Sequence, residues 1–265
     1  MCILAWNWRP GSDLPLLLLG NRDEWYARPT QALHWWDVAK GIEANTTHRI
    51  LAGRDLEAGG TWLGLSSNGR LAALTNIRSP EVLQTEAPSR GLLVAGFLQS
   101  TDSASAYLQT LQLQAADYKP FNLLVYDGET LQGFHSATGH IRPLQPGLGA
   151  VSNADFETPW PKLVKLRQGL QQQVAQNNLQ TGTLLALLQD GQVADDAGLP
   201  HTGISLEWER ALSATRIHTP AYGTRASSVV KMATQHIEFT EVSYDASGVL
   251  GTHTETFSVR QATRS

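Results

Sequence analysis

The chain carries a single cysteine, Cys2, directly after Met1. Removal of a methionine that precedes a small residue would leave a thiol and a free α-amine on the same residue. A thiolate is a strong nucleophile, and an α-amine with a pKa of about 8 is a base near neutral pH. Cys2 would then supply a nucleophile together with its base. The alternative is a small buried side chain on a first strand, the usual environment of a free cysteine.

A charged run, Asn21-Arg22-Asp23-Glu24, follows the apolar residues 14–20. One interpretation is a solvated corner at the end of a strand. The other comes from the predicted N-terminal hairpin of residues 2–8 and 14–20, which places the end of its second strand beside Cys2. Arg22 or Asp23 would then lie next to the thiol. An arginine there lowers the thiol pKa, and a carboxylate orients the α-amine.

Composition excludes several classes of function. The net charge of −4 gives no electrostatic basis for binding nucleic acid. A lone cysteine excludes an intramolecular disulfide framework and a cysteine-rich zinc site. The apolar run 15–19 is too short to span a bilayer and lacks the flanks of a signal peptide, so we expect a cytoplasmic protein without a membrane span.

The order of predicted elements favours an α+β fold with antiparallel sheets. Hairpins are predicted at 62–76, where Asn68-Gly69 forms the turn, and at 121–135. Helices are predicted at 91–99, 103–113, 161–176 and 183–188, and strands at 148–152, 227–232, 236–244 and 252–259. Residues 25–49 are predicted to form a long irregular loop. No linker or repeat divides residues 1–265, so we expect one domain.

The chain contains a set of short motifs in a fixed order: Met1-Cys2-Ile3-Leu4, Asn21-Arg22-Asp23-Glu24, Arg28-Pro29, Gly59-Gly60-Thr61-Trp62-Leu63-Gly64, Ala73-Leu74-Thr75-Asn76, Ser89-Arg90-Gly91, Ser152-Asn153 and Tyr222-Gly223-Thr224-Arg225. In these motifs the chain resembles the NRDE family, also called the TANGO2 (transport and Golgi organization 2) family. These motifs span nearly the whole chain. The implied fold is the N-terminal-nucleophile hydrolase type, with four layers in the order αββα.

A more distant resemblance reaches the cholylglycine-hydrolase-like amidases and implies a set of catalytic residues. In this chain the matching positions are Cys2, Arg22, Asp23, Asn76, Asn153 and Arg225. The resemblance implies that Cys2 attacks an amide carbonyl, that the asparagines stabilise the oxyanion, and that the arginines hold the thiolate.

One departure from the amidase pattern concerns Arg22 and Asp23. The amidases space their arginine and aspartate three apart, whereas here the two are adjacent. Adjacent strand residues face opposite sides, so both side chains need not point at Cys2. Asn76 and Asn153 also suit turn capping at strand ends, and Arg225 also suits covering a sheet edge.

Two hypotheses on function follow. The nearer resemblance implies binding and delivery of a hydrophobic small molecule: haem above all, or a lipid or acyl-CoA. Trp35 and Trp36 would line the ligand site, and an apo-haemoprotein would be the acceptor. Cys2 or a histidine would be the axial ligand. No cofactor is obligatory in this hypothesis.

The second hypothesis is a Cys2-dependent amide hydrolase that acts on non-peptide C–N bonds. It depends on removal of Met1, because otherwise the Cys2 amine lies in a peptide bond. The histidines are scattered without metal-ligand spacing, so the sequence identifies no metal site.

Overall fold

The computed structural model describes residues 1–37, 49–78 and 87–259. Its strands are β1 (Cys2–Trp8), β2 (Leu16–Trp25), β3 (Thr30–Trp36), β4 (Ile50–Asp55), β5 (Leu63–Ser66), β6 (Leu71–Asn76), β7 (Phe121–Tyr126), β8 (Leu131–His135), β9 (His140–Pro143), β10 (Gly147–Val151), β11 (Tyr222–Met232), β12 (Ile237–Asp245) and β13 (Gly248–Phe257). They form two antiparallel sheets. The six-stranded sheet has the order β10-β1-β2-β11-β12-β13, and the seven-stranded sheet runs from β3 to β9 in chain order.

The helices are α1 (Gly91–Gln99), α2 (Ala104–Gln112), α3 (Pro161–Ala175), α4 (Thr181–Leu188) and α5 (Leu206–Ala211). Three of them begin where local chemistry favours a helix start, and α5 is capped by the Ser205 side chain, which accepts from the backbone N–H of Trp208. The Ser103 side chain accepts a hydrogen bond from the backbone N–H of Ala106 and caps α2. Pro161 occupies the first turn of α3, where its missing N–H is not needed.

Three apolar clusters define the layers. The inner cluster joins the two sheets, with Leu4 and Leu18 from the six-stranded sheet and Leu63 from the seven-stranded sheet. A second cluster packs α1 and α2 on the outer face of the seven-stranded sheet. A third packs α3 and α4 on the outer face of the six-stranded sheet. The predicted α+β class and αββα layer order are confirmed.

The N-terminal hairpin forms as predicted, with Cys2 directly opposite Arg22. The second strand, however, is longer than predicted. It continues to Trp25 because β11 pairs with its other edge as far as that residue. The charged run therefore lies inside a central strand, and its interpretation as a solvated corner at a strand end is wrong.

Residues 25–49 are not all loop, because β3 occupies seven of them and pairs with β4. Residues 38–48 of that segment lie outside the described residues. The polar residues of β3 obscure the alternation of apolar and polar side chains that would indicate a strand. β3 lies at the edge of the seven-stranded sheet, so only one of its two edges is paired with another strand.

Candidate functional site

A cavity of about 710 Å³ opens between the two sheets at the Cys2 end of the hairpin. Its wall includes Cys2, Arg22, Asn76, Arg90 and Arg225. The volume is in the range of small-molecule and cofactor sites. This cavity therefore brings together residues from the first strand, the second strand, the end of β6 and the C-terminal third of the chain.

Cys2 is a free thiol at the start of β1 and is only 7% exposed. Burial raises the pKa of the thiol, because a thiolate loses its hydration there. The N-terminal ammonium and Arg22 act in the opposite direction, while Asp23 adds to the increase. The thiol is therefore protonated at neutral pH unless a bound group or a change in the N-terminus displaces its proton.

Arg22 lies on the Cys2 face of the sheet. Alternation along β2 places Leu16 and Leu18 in the inner cluster, and Arg22 follows them with the same parity. Its guanidinium contacts Glu24 and Asp55 at 3.7 Å each. The Nη1 atom is buried and has no hydrogen-bond partner within the described residues. Arg22 thus retains donor capacity beside the cavity.

Asp23 also contributes to the cavity wall, but its side chain has the parity of Leu17 and Leu19, which face the helices. Its Oδ1 accepts a hydrogen bond of 2.7 Å from the Thr224 hydroxyl. Burial raises the pKa of this carboxyl, and Lys162 and the N-terminal ammonium oppose the increase. The backbone of Asp23 bonds Met1 in both directions: its N–H donates to the Met1 carbonyl, and its carbonyl accepts from the Met1 amine.

The Met1 amine is also bonded to the Tyr222 hydroxyl at 2.6 Å. Burial lowers the pKa of this amine, because the protonated form loses hydration. Asp23 and Tyr222 therefore fix the amine of Met1, and the amine of Cys2 lies in a peptide bond in this form of the chain.

Asn21, the first residue of the charged run, has a structural role. Its Nδ2 donates to the carbonyls of Leu188 and Thr215, and its Oδ1 accepts from Ser227. These bonds join the end of α4 and the segment before β11 to the middle of the sheet. The Asn21 amide is fully buried, and these bonds satisfy its hydrogen-bonding groups within the protein.

The structure brings Asn76 and Asn153 together. Asn153 is buried behind the cavity wall, and its Nδ2 donates to the backbone carbonyl of Asn76 at 3.0 Å and to its Oδ1 at 3.1 Å. Asn76 itself lines the cavity. The two residues form an amide pair at one end of the cavity, and Asn76 is the member that faces it.

Arg225 lies at the cavity wall but is bonded to the chain around it. It sits at a β-bulge between Thr224 and Ala226, where an extra residue changes the direction of a side chain. Its guanidinium donates to the backbone carbonyls of Trp25, Tyr26 and Arg28. The structure therefore gives Arg225 the role of holding the segment after β2.

The structure places Trp35 and Trp36 outside the cavity wall. Trp35 packs edge-on against Phe257, with ring centroids 4.9 Å apart. Trp36 is buried in the outer core, where its indole N–H donates to the Ala52 carbonyl. They face opposite sides of β3, and both rings are used in packing.

Three residues at the site escaped prediction from the sequence. Lys162 is 3% exposed at the start of α3, behind the amide pair. Arg90 and Glu241 line the cavity. Arg90 belongs to the motif Ser89-Arg90-Gly91, which carries part of the family resemblance and could have identified it as a site residue. Lys162 and Glu241 carried none, because a charged residue in an amphipathic helix or strand ordinarily faces solvent.

Side chains that commonly bind metals do not form a cluster in the part of the chain that the structure describes. Across residues 1–37, 49–78 and 87–259, no three His, Cys, Asp or Glu side chains come together as ligands. His253 is the histidine of the cavity wall. In the same part of the chain, no helix has the length and apolar character needed to cross a bilayer.

Comparison with solved structures identifies the fold. An N-acylethanolamine-hydrolyzing acid amidase ortholog from Caenorhabditis elegans superposes with a TM-score of 0.51 and 10% identity, over 86% of this chain and 92% of that one. An arginine-to-leucine variant of conjugated bile acid hydrolase from Clostridium perfringens gives a TM-score of 0.51 and 9% identity, over 97% of each chain. At these identities the likeness shows a shared N-terminal-nucleophile-hydrolase-like fold.

Sequence comparison identifies the family. The profile described as Transport and Golgi organisation 2 matches residues 1–246. The Transport and Golgi organization protein 2 homolog of Bos taurus is 35% identical over 265 residues, covering 92% of this chain and 93% of that protein. The Homo sapiens homolog is 33% identical over the same shares. The chain belongs to the Transport and Golgi organisation 2 family.

Proposed function

We propose that this protein binds a small amphipathic anion in the cavity beside Cys2 and delivers it to an acceptor in the cytoplasm. Haem is the ligand we propose first, and an acyl-CoA or another anionic lipid is the alternative within the same class. The observation that supports the proposal is the buried, unpartnered Nη1 of Arg22 in a cavity large enough for a cofactor.

The cavity wall includes six Lys and Arg residues beside five Asp and Glu residues, and its arginines suit a ligand with carboxylates or phosphates. Arg90 is partly buried, and its guanidinium donates to the Pro120 carbonyl. Burial lowers the pKa of Arg90, which an anionic partner would offset. Lys119 and three further arginines also line the wall: Arg28, Arg54 and Arg225. Arginine binds carboxylate and phosphate oxygens with two parallel hydrogen bonds, so Arg22 and Arg90 are suited to the anionic part of the ligand.

The wall also offers apolar surface and two candidate ligands for iron. Trp62, Leu74 and Leu250 contribute apolar side chains, which would contact the hydrocarbon part. The Cys2 thiolate and the His253 imidazole are both used as axial ligands by haem proteins. Thiolate ligation would release the proton that burial retains on Cys2.

A haem titration tests the proposal. We expect a defined Soret band that saturates at one haem per chain and transfers to an apo-haemoprotein. Cys2→Ala or His253→Ala should shift the band, depending on which residue is the ligand. Arg22→Gln should weaken binding, whereas Arg9→Gln, an exposed arginine in the first turn, should not. Broad, non-saturable spectra that are insensitive to Cys2, His253 and Arg22 would contradict the proposal.

A second candidate is a Cys2-dependent amide hydrolase, favoured by one observation. Asn76 lies in the wall of the same cavity as Cys2 and Arg22, where its amide could stabilise an oxyanion, and Asn153 bonds to it from behind the wall. This activity needs the free amine of Cys2. The intact mass of protein from its native source decides whether Met1 is removed. Hydrolysis of N-acyl amides by processed protein, abolished by Cys2→Ala, would support this candidate.

A further inference from the structure

Two carboxylates lie beside the Arg22 guanidinium in the cavity wall. Glu24 follows Arg22 on β2 with the same parity, and both residues line the cavity. Asp55 is the last residue of β4 and approaches Arg22 from the seven-stranded sheet. One oxygen of each carboxylate lies 3.7 Å from Nη2 of Arg22. The charge of Arg22 is therefore countered within the protein, by one carboxylate from each sheet.

Neither of these contacts uses a hydrogen-bond donor of Arg22. A hydrogen bond from nitrogen to oxygen spans about 2.7–3.2 Å, so the two contacts are too long to be hydrogen bonds. The Nη1 atom of Arg22 is buried and has no hydrogen-bond partner in the parts of the chain that the structure describes. Arg22 thus combines a countered charge with N–H groups that remain free for a ligand.

Asp55 is held in place by three hydrogen bonds that do not involve Arg22. Its Oδ2 accepts from Nε of Arg28 at 2.6 Å. Its Oδ1 accepts from the backbone N–H groups of Glu57 and Ala58, at 3.0 Å each. The carboxylate of Asp55 therefore keeps its position when a ligand binds to Arg22.

Glu24 is held at its position as well. Its Oε1 accepts from the backbone N–H of Trp25 at 2.9 Å, and its other oxygen, Oε2, is the atom near Arg22. An anion that binds to Arg22 would therefore come close to two fixed negative charges. Like charges at such distances repel one another, and this repulsion reduces the free energy that is gained when the anion binds.

We propose that Glu24 and Asp55 are built-in counter-ions that weaken the binding of anions at Arg22 and so set how readily the cavity releases an anionic ligand. A carrier has to release its ligand to the acceptor, and a countered arginine holds an anion less tightly than a free one. The ligand would place one carboxylate or phosphate group at Arg22. The release of a carried ligand rests on the proposed function, whereas the weakening of anion binding does not.

Alkylation of Cys2 by two reagents of different charge tests the proposal without a carried ligand. Cys2 is the sole cysteine and pairs directly with Arg22 across β1 and β2, so a reagent at the thiol lies beside the guanidinium. Iodoacetate brings a carboxylate to this position, whereas iodoacetamide is neutral. The ratio of their two rate constants reports the preference for anions, because ionisation and burial of the thiol affect both rates alike.

Removal of either counter-ion should raise the ratio of the iodoacetate rate to the iodoacetamide rate. Asp55→Asn and Glu24→Gln each keep an oxygen for the backbone N–H bonds, so each variant loses mainly the charge. We expect about a threefold increase in either variant and about a threefold decrease in Arg22→Gln, which is the size of effect that a partly exposed ion pair has. Asp196→Asn is the matched control: it removes the same charge from a pair with Arg210 outside the cavity wall, and the ratio should not change.

The use of two variants keeps the test decisive if one of them fails to fold. A ratio that changes no more in Asp55→Asn and Glu24→Gln than in Asp196→Asn would overturn the proposal. A Cys2 that reacts with neither reagent would also overturn it, because this end of the cavity would then be closed to anions altogether. Ratios as expected, together with a failed haem titration, would refute the proposed ligand and leave the role of the counter-ions standing.

Discussion

The ion pair between Arg78 and Glu209 gives the sharpest prediction about stability near the site. Its side chains are 5% and 4% exposed, and Arg78 Nη1 lies 2.5 Å from Glu209 Oε2. The other carboxylate oxygen, Oε1, accepts from the backbone N–H and the hydroxyl of Thr202. The backbone N–H of Arg78 donates to the carbonyl of Asn153, which links the segment of the ion pair to the residue behind the cavity wall.

Glu209→Ala leaves the Arg78 guanidinium buried without its counter-ion. Breaking a buried pair by removing one partner costs about 3–5 kcal/mol, and the loss of two bonds from Thr202 argues for the upper part of that range. For a total stability of about 5–15 kcal/mol, this is a large fraction. With a urea dependence of about 3 kcal/mol per molar, the midpoint should fall by more than about 1 M.

Urea unfolding followed by tryptophan fluorescence measures the effect. Glu207→Ala removes an exposed carboxylate from the same turn of α5 and should change stability by less than about 0.5 kcal/mol. The double variant Arg78→Met/Glu209→Met removes both charges and should be more stable than Glu209→Ala. The reasoning is refuted if Glu209→Ala unfolds within about 1 kcal/mol of the wild type, or if the double variant is the less stable of the two.

Two further predictions concern a buried acid and a close backbone approach. Burial raises the pKa of Glu241 from 4.5 to about 7. Between these two pKa values the folded state holds a proton that the unfolded state has lost. The free energy of unfolding should therefore fall by up to about 3 kcal/mol as pH rises from 4.5 to 7. Unfolding measured at several pH values should show that Glu241→Gln lacks this dependence on pH. Gly149→Ala would place a Cβ 2.3 Å from the indole of Trp6 and should lower the free energy of unfolding by about 1–3 kcal/mol. Gly182→Ala is the control: its Cβ would meet nothing within 4 Å, and alanine favours a helix over glycine, so the melting temperature should rise slightly. An unchanged pH slope, or equal melting temperatures for the two alanine variants, would count against the respective prediction.

Local sequence signals predicted the parts of the fold that depend on neighbours in the chain. The helix at Gly91–Gln99 has the predicted bounds, because its apolar residues follow a helical period. The hairpin from β1 to β2 is also local, and its register alone placed Arg22 opposite Cys2. Alternation along the same strand explains why Arg22 and Asp23 serve different faces.

Contacts between distant segments could not be predicted in this way. β11 pairs with β2 across about 200 residues and brings Thr224 and Ser227 to Asp23 and Asn21. No local pattern in a single sequence encodes which strand joins that edge. Lys162 was missed for a related reason: it is buried by the strand ends it approaches, not by the pattern of its own helix.

The tryptophan pair shows how composition can mislead. Trp35 and Trp36 stand in a polar sequence, which suggested a ligand-binding loop. In the structure they belong to an edge strand, and their rings cover two different apolar clusters. The arginines that line the cavity are instead contributed singly by separate segments, so no run of sequence shows them as a group.

Protection of Cys2 by haem tests the central proposal most directly. The rate of iodoacetamide alkylation of this single thiol is measured at increasing haem concentrations, alongside the Soret absorbance of the same samples. If haem binds in the cavity, alkylation should fall in proportion to occupancy, with the same midpoint as the Soret band. A Soret band that saturates while Cys2 is alkylated at an unchanged rate would place haem elsewhere on the protein and contradict the proposal.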